Sequence, residues 1–212
     1  MQTHDSVRVL NVNEPRRSPR GPDRKRDPER TRERILEAAL IEFGEHGFAG
    51  GRISAIAGRA GVNEQLISYY FDGKEGLYRA LQQRWQMTSA AASRPELTLA
   101  DVVARFLRLN IDQRSFARLL AWDGLADTGS DAAEQDPYFT EMVEDMRRRQ
   151  RAGELADDLD PTYMLLMLFA AAFAPTVIPQ IARRLTGLSV DSATFQETYA
   201  EQLRRVVERL AD

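Results

Sequence analysis

Cysteine is absent from this 212-residue chain, and histidine occurs only at His4 and His46. The first absence excludes disulfides, thiolate metal sites and cysteine nucleophiles, and makes a reducing, cytoplasmic compartment the natural one. The second leaves one histidine in a polar leader and one beside a glycine that reads as a helix end, so neither histidine catalysis nor a metal site is expected. Carboxylates and arginines are scattered rather than gathered into an acid/base or nucleophile set. The chain is therefore not read as an enzyme, with no catalytic residue and no cofactor. Long apolar runs are missing too: the most apolar, Met164 to Ala174, has 11 residues, where a membrane span needs roughly 20. The start lacks the basic and apolar stretches of a secretion signal. A soluble protein with no membrane partner is expected.

Strand patterns are also lacking, since no alternating apolar segment is bounded by turns. On length alone, one domain and two small ones are equally plausible. The net charge of −3 conceals an asymmetry: residues 1–90 carry 15 basic and 12 acidic residues, net +3, and the remainder is net −6. A basic front on an acidic back suits a chain whose front meets a polyanion, although a solvated surface gives the same count.

What is present is helical periodicity. Residues 1–26, with RRSPRGPDRKR, read as a disordered basic tail. From Asp27-Pro28-Glu29, an N-cap with proline in the first turn, a helix carries Ile35, Ala39, Leu40 and Phe43 on one face and stops at Gly47. A short helix spans 52–60, closed by Gly61, and another spans 64–71, capped by Asn63. Asp72 and Glu75 have capping-box spacing ahead of a helix over 74–92. Later helices are placed at 99–114, 116–126, 138–152, 161–174, 176–186 and 192–210, with Pro175 as a break. The fold class is all-α.

Two short helices around Gly61-Val62-Asn63 have the length and turn of a helix-turn-helix, whose second helix must present a short polar face to enter a major groove about 12 Å wide. At 100° per residue, Ile67, Tyr70 and Phe71 share the inner side with Val62, while Glu64, Gln65, Ser68 and Tyr69 point away. Leu66 lies on the border, either finishing the core or touching a thymine methyl.

Residues 34–78, from RILEAALIEFGEHGF through IAGRAGV to YYFDGKEGLY, resemble the DNA-binding domain of the TetR family of transcriptional regulators. The resemblance implies a homodimer with an N-terminal three-helix DNA-binding domain and a larger C-terminal helical bundle that dimerises and holds a small-molecule inducer. It implies domains at 27–73 and 74–212, with 74–92 as the linking helix. By the same resemblance Asn63, Glu64, Gln65 and Ser68 face bases of an operator in double-stranded DNA, and Tyr69, Lys74 and Arg52 hold phosphates. This chain departs from the family in carrying Glu64 where lysine is frequent and Ser68 where tyrosine is, and Gly51 and Gly73 where polar residues are usual. Glu64 repels phosphate but accepts from a cytosine amino group, so the change bears on which sequence is read. Arg24, Lys25 and Arg26 form either a minor-groove arm or a solvated leader.

In the back half, Phe195, Tyr199, Leu203, Val206 and Leu210 form a helical seam, and the run around Tyr163 and Leu166 is apolar all round and so needs cover on every side. Such a stripe is usually intramolecular core, but the family resemblance implies that these two helices, and with them these positions, build a four-helix dimer interface. Phe106, Asn110, Arg114, Trp122, Tyr138, Met142, Met146, Met167 and Phe173 are candidates for lining a ligand pocket, each also suited to ordinary core. The function read here is a ligand-responsive DNA-binding regulator, most simply a repressor released by its inducer. The alternative is a helical dimeric sensor or interaction module that does not read DNA specifically.

Overall fold

The computed structural model describes residues 23–94, 96–127 and 136–211, with side chains from position 28. Residues 1–22, most of the basic leader, lie outside the described residues, as do the side chains of Arg24, Lys25 and Arg26. Ten helices and no strands are described: α1 (Asp23–Gly50), α2 (Ile53–Ala60), α3 (Glu64–Phe71), α4 (Gly73–Ala92), α5 (Leu99–Asp112), α6 (Arg114–Ala126), α7 (Pro137–Arg151), α8 (Pro161–Val177), α9 (Pro179–Thr186) and α10 (Ala193–Glu208). A 3-10 turn, Arg209–Ala211, follows.

The front of the chain packs around one apolar cluster. Ile35, Leu36, Ala39 and Phe43 of α1 meet Ile56 and Ala57 of α2, Ile67 and Phe71 of α3, and Leu77 and Leu81 of α4. That cluster extends beyond the first three helices: Leu119 of α6, 1% exposed, belongs to it. α6 lies along α1 because two glycines admit it. A Cβ on Gly44 would sit 2.6 Å from the Ser115 carbonyl oxygen, and one on Gly47 would sit 3.3 Å from the Trp122 indole. The back of the chain holds a second cluster built by α5, α8 and α10 around Val103, Leu107, Leu168, Ala172, Leu203 and Val207. Between the two lies an aromatic group in which Trp85 of α4 stacks on Phe116 of α6 at 4.1 Å and meets Phe173 of α8 at 6.4 Å.

Several expected boundaries move. α1 begins at Asp23, four residues before the proposed cap, and Pro28 lies inside it, near enough to the start that its missing N–H frees a single carbonyl. Gly47, at φ 70 and ψ 170, breaks the helical path as expected, but helical turns resume to Gly50. The capping box at Asp72 does not form: Asp72 adopts the left-handed conformation (φ 58) that ends α3, and its side chain makes no cap hydrogen bond to α4. α5 stops at Asp112, short of the expected end, and α10 ends at Glu208 before the 3-10 turn.

Pro175 does not break α8, which runs on to Val177 before an 87° bend into α9. A proline inside a helix leaves the carbonyl four residues earlier without its N–H donor. That carbonyl is Ala171, and the Tyr199 hydroxyl donates to it at 2.9 Å. Nearby, Asn110 Nδ2 donates to the Ala172 carbonyl at 3.2 Å. Tyr199 is thereby committed within the chain, as are Phe195, 2% exposed, and Leu203, 7% exposed. These three positions were expected at the dimer interface, and the correction has a plain cause: an amphipathic seam shows that a helix face is covered, not by what. Tyr163, Leu166 and Val206 remain exposed, at 64%, 63% and 55%, and Leu210 is half-buried.

Candidate nucleic-acid interface

The turn between α2 and α3 is set by Gly61, which closes α2 in the left-handed conformation at φ 63 and ψ 41. Its N–H and that of Val62 bond back to the Gly58 and Ala57 carbonyls at 3.2 and 3.0 Å. Arg34 of α1 donates from Nε to the Ala60 carbonyl at 3.1 Å and from Nη2 to the Gly61 carbonyl at 3.2 Å, a cation on the negative end of α2. At the other end of α2, buried Glu42 accepts the Arg52 backbone N–H at 3.2 Å. α2 is thus held at both ends by side chains of α1.

α3 is braced from below and open above. Ile67 is fully buried and Phe71 nearly so, Tyr70 and Leu66 are half-buried, and Glu64, Gln65, Ser68 and Tyr69 are exposed. Tyr69 is 80% exposed and meets Tyr70 edge-on at 5.2 Å. Asn63 Oδ1 accepts the Leu66 N–H at 3.0 Å, so its carbonyl oxygen is engaged in capping. Lys74 is not a free cation: its Nζ donates to the Ala49 carbonyl at 3.2 Å and lies 4.8 Å from the Phe48 ring centroid. This ties α4 to the end of α1. Arg52 is exposed beside the start of α2.

Glycines fix the approach of the neighbouring helices. A Cβ on Gly51 would fall 2.3 Å from Phe43 Cδ1, and one on Gly76 would fall 1.6 Å from the Phe71 carbonyl oxygen. Gly51, a departure from the usual polar residue, is therefore required by the Phe43 ring. Among the described residues Glu42, Glu45 and His46 bring ligand atoms within 4.8 Å of one another. Glu42 already accepts the Arg52 N–H and Glu45 faces Arg59 at 3.5 Å, so this group is accounted for by packing and charge pairing.

The C-terminal half contains a cavity of ≈ 50 Å³ lined by Val103, Phe106, Met146, Leu168, Phe169 and Phe173. It shares Ser93, Phe106, Met142 and Asp145 with a more polar cleft of ≈ 380 Å³ that reaches Ser89, Tyr138 and Glu141. The Tyr138 and Ser89 hydroxyls are 2.7 Å apart, and burial raises the Tyr138 phenol above its ordinary range. Phe106, Tyr138, Met142, Met146 and Phe173 of the proposed pocket set line these spaces. The other four lie elsewhere. Asn110 is fully buried beside Ala172, Arg114 pairs with Asp191, Trp122 covers Gly47, and Met167 is 60% exposed.

One contact between α4 and α6 escaped sequence reasoning. The Tyr78 hydroxyl of α4 donates to the Asp123 carboxylate of α6. Burial, then the bond and charge of Asp123, push the Tyr78 phenol up, and burial holds the Asp123 carboxyl above its usual range despite that bond. Nothing in the local pattern of either segment pairs residues 45 apart.

A short helix that offers an exposed polar face across a glycine turn from its brace defines a helix-turn-helix DNA-binding regulator. Comparison with known proteins agrees. The model of bacterial regulatory proteins of the tetR family matches residues 35–81, and that of the tetracyclin repressor-like C-terminal domain matches residues 98–209. The HTH-type transcriptional repressor SCO4008 of Streptomyces coelicolor is 33% identical over 192 residues, covering 87% of this chain and 98% of that protein. The HTH-type transcriptional regulator RutR of Escherichia coli K12 is 27% identical over 190 residues, covering 82% and 86%. The crystal structure of the transcriptional regulator SCO4942 from Streptomyces coelicolor matches with a TM-score of 0.68 at 27% identity, over 84% of this chain and 97% of that one. The chain belongs to the TetR family of transcriptional regulators.

Proposed function

We propose that this regulator is a homodimeric repressor that holds its operator through two copies of α3 and releases it when a small molecule occupies the C-terminal cavity. The observation that carries the reading is the exposed face Glu64, Gln65, Ser68 and Tyr69 on a helix whose opposite face is fixed by Ile67 and Phe71. Asn63, Glu64, Gln65 and Ser68 read base edges, while Tyr69, Lys74 and Arg52 hold the backbone; Glu64 favours a cytosine amino group. The DNA-reading part comprises 27–73, the ligand and dimer part 74–212. The relatives are regulators, and this chain likewise acts by binding, not catalysis, in the cytoplasm.

Dimerisation places the two reading helices about 34 Å apart, one helical turn of DNA. Its support is the exposed apolar face of α8, where Tyr163, Leu166 and Met167 stand in line, with Val206 of α10 adjoining. The inducer acts through a coupling free energy: a ligand that favours a dimer with the wrong spacing weakens DNA binding by the factor with which DNA weakens the ligand, about 5- to 150-fold for about 1–3 kcal/mol. The route is short. Phe169 and Phe173 line the cavity and stack at 4.3 Å; Phe173 meets Trp85, and Trp85 stacks on Phe116 of α6, the helix that fills the front core with Leu119. The ≈ 50 Å³ apolar end is too small for a drug-sized ligand, so binding must widen it into the adjoining cleft and push on this aromatic group.

Replacing Tyr69 and Lys74 by alanine tests the DNA reading. Operator binding should fall at least 10-fold while the dimer mass is unchanged. A double variant with unaltered, salt-insensitive DNA binding would favour the sensor module instead.

A further inference from the structure

The face of α3 described above ends at Tyr69, but the surface beside it continues into a hollow between α1, α3 and α4 that carries two arginines, Arg32 and Arg79. Neither has a carboxylate within 4.0 Å among the described residues, whereas Arg34 is engaged on α2 carbonyls, Arg59 on Glu45 and Arg84 on Glu33. Arg32 lies 5.0 Å over the Phe71 ring, which orients a guanidinium plane while leaving its N–H edge free. Arg79 is brought to the same place by Gly76: the absent side chain lets α4 meet the end of α3, and Arg79 Nη2 lies 3.5 Å from where a Cβ would be. Ser68 and Tyr69, exposed on α3, also line the hollow. Among the described residues Asp72 is the single carboxylate in its lining, and it forms no ion pair with either arginine.

We propose that Arg32 and Arg79 form a second anion site, outside the reading helix, that takes backbone phosphates of the DNA flanking the bases read by α3. Two orienting features and a charge that no described carboxylate neutralises, of the sign a polyanion requires, are placed next to the base-reading face, and guanidinium edges match phosphate oxygens bidentately. The site adds affinity and register without base information. It rests on the DNA-binding reading proposed above.

The test uses the full chain and a duplex that the wild-type protein selects from a random pool, with Kd measured from 50 to 200 mM KCl. Each phosphate contact contributes about −0.9 to the slope of log K against log salt. Arg79→Gln, which leaves the Phe71 ring contact of Arg32 untouched, should make the slope about 0.9 shallower, and Arg32→Gln with Arg79→Gln about 1.8. Across that salt range the wild type should then lose roughly 12-fold more affinity than the double variant. The ranking of base preferences should not change, and a thermal melt of each variant confirms the fold. Slopes equal to wild type in both variants overturn the proposal while the DNA reading stands; so does a changed base preference. A wild-type chain that selects no duplex overturns both.

Discussion

The smallest determinants of this molecule are hydrogen atoms where side chains would be. Gly76 has no room for a methyl group, because the obstacle is the Phe71 backbone carbonyl and cannot rotate away. Gly76→Ala should therefore shift α4 off α3 and cost about 3 kcal/mol or more, read as a lowered thermal midpoint together with lost operator binding. Tyr199 presents a different kind of residue-scale constraint. Its hydroxyl serves the Ala171 carbonyl that Pro175 leaves without a partner. Tyr199→Phe should cost about 1 kcal/mol, the loss of a part-buried hydrogen bond. In a Pro175→Ala background, where a backbone N–H is restored, the same change should cost clearly less; equal costs in both backgrounds would refute the pairing. Sequence periodicity assigned Tyr199 to a seam correctly but could not supply its partner, since the need for that hydroxyl arises from a proline 24 positions away.

At the scale of elements, α2 and α3 were legible because their signals are local: Gly61 stops one helix, Asn63 caps the next, and helical phase divides Tyr69 from Tyr70 and Phe71. α6 was not. Its sequence reads as an ordinary amphipathic helix, yet it buries Leu119 in the core of the front cluster and lies on Gly44 and Gly47 of α1. A fragment ending at residue 94 lacks that cover. It should show little cooperative melting by circular dichroism, and Leu119→Ala in the full chain should cost about 2–5 kcal/mol although the position lies far from DNA in sequence. The Tyr78–Asp123 contact ties the same helix to α4. Because burial raises the Asp123 carboxyl, its protonated form is favoured in the fold: the associated stability is present below the ordinary aspartate range and lost as pH rises through the raised value. Asp123→Asn should flatten that part of the stability profile, measured by denaturant titration between pH 3 and 7.

At the scale of the whole molecule, α8 carries an exposed apolar face. A soluble monomer that exposes Tyr163, Leu166 and Met167 in one line presents an apolar surface of the kind that marks an interface. Leu166→Glu should leave the protomer folded, since the side chain is 63% exposed, and halve the mass found by light scattering. Operator affinity should fall about 100-fold or more, because the second half-site then binds as a separate event. A variant of full dimer mass would place the interface elsewhere.

The sequence by itself determined the all-α class, the helix-turn-helix and the side of α3 that faces outward, because capping residues, glycine turns and a 3.6-residue period act within a few residues of one another. Only the tertiary structure decided what each apolar face meets. It assigned Phe195, Tyr199 and Leu203 to the protomer's own core and left Tyr163 and Leu166 outside; it brought Leu119 under α1 and joined Phe173 to Trp85. Hydrophobic burial is non-directional, so a face that must be covered carries no record of its partner until the chain has folded.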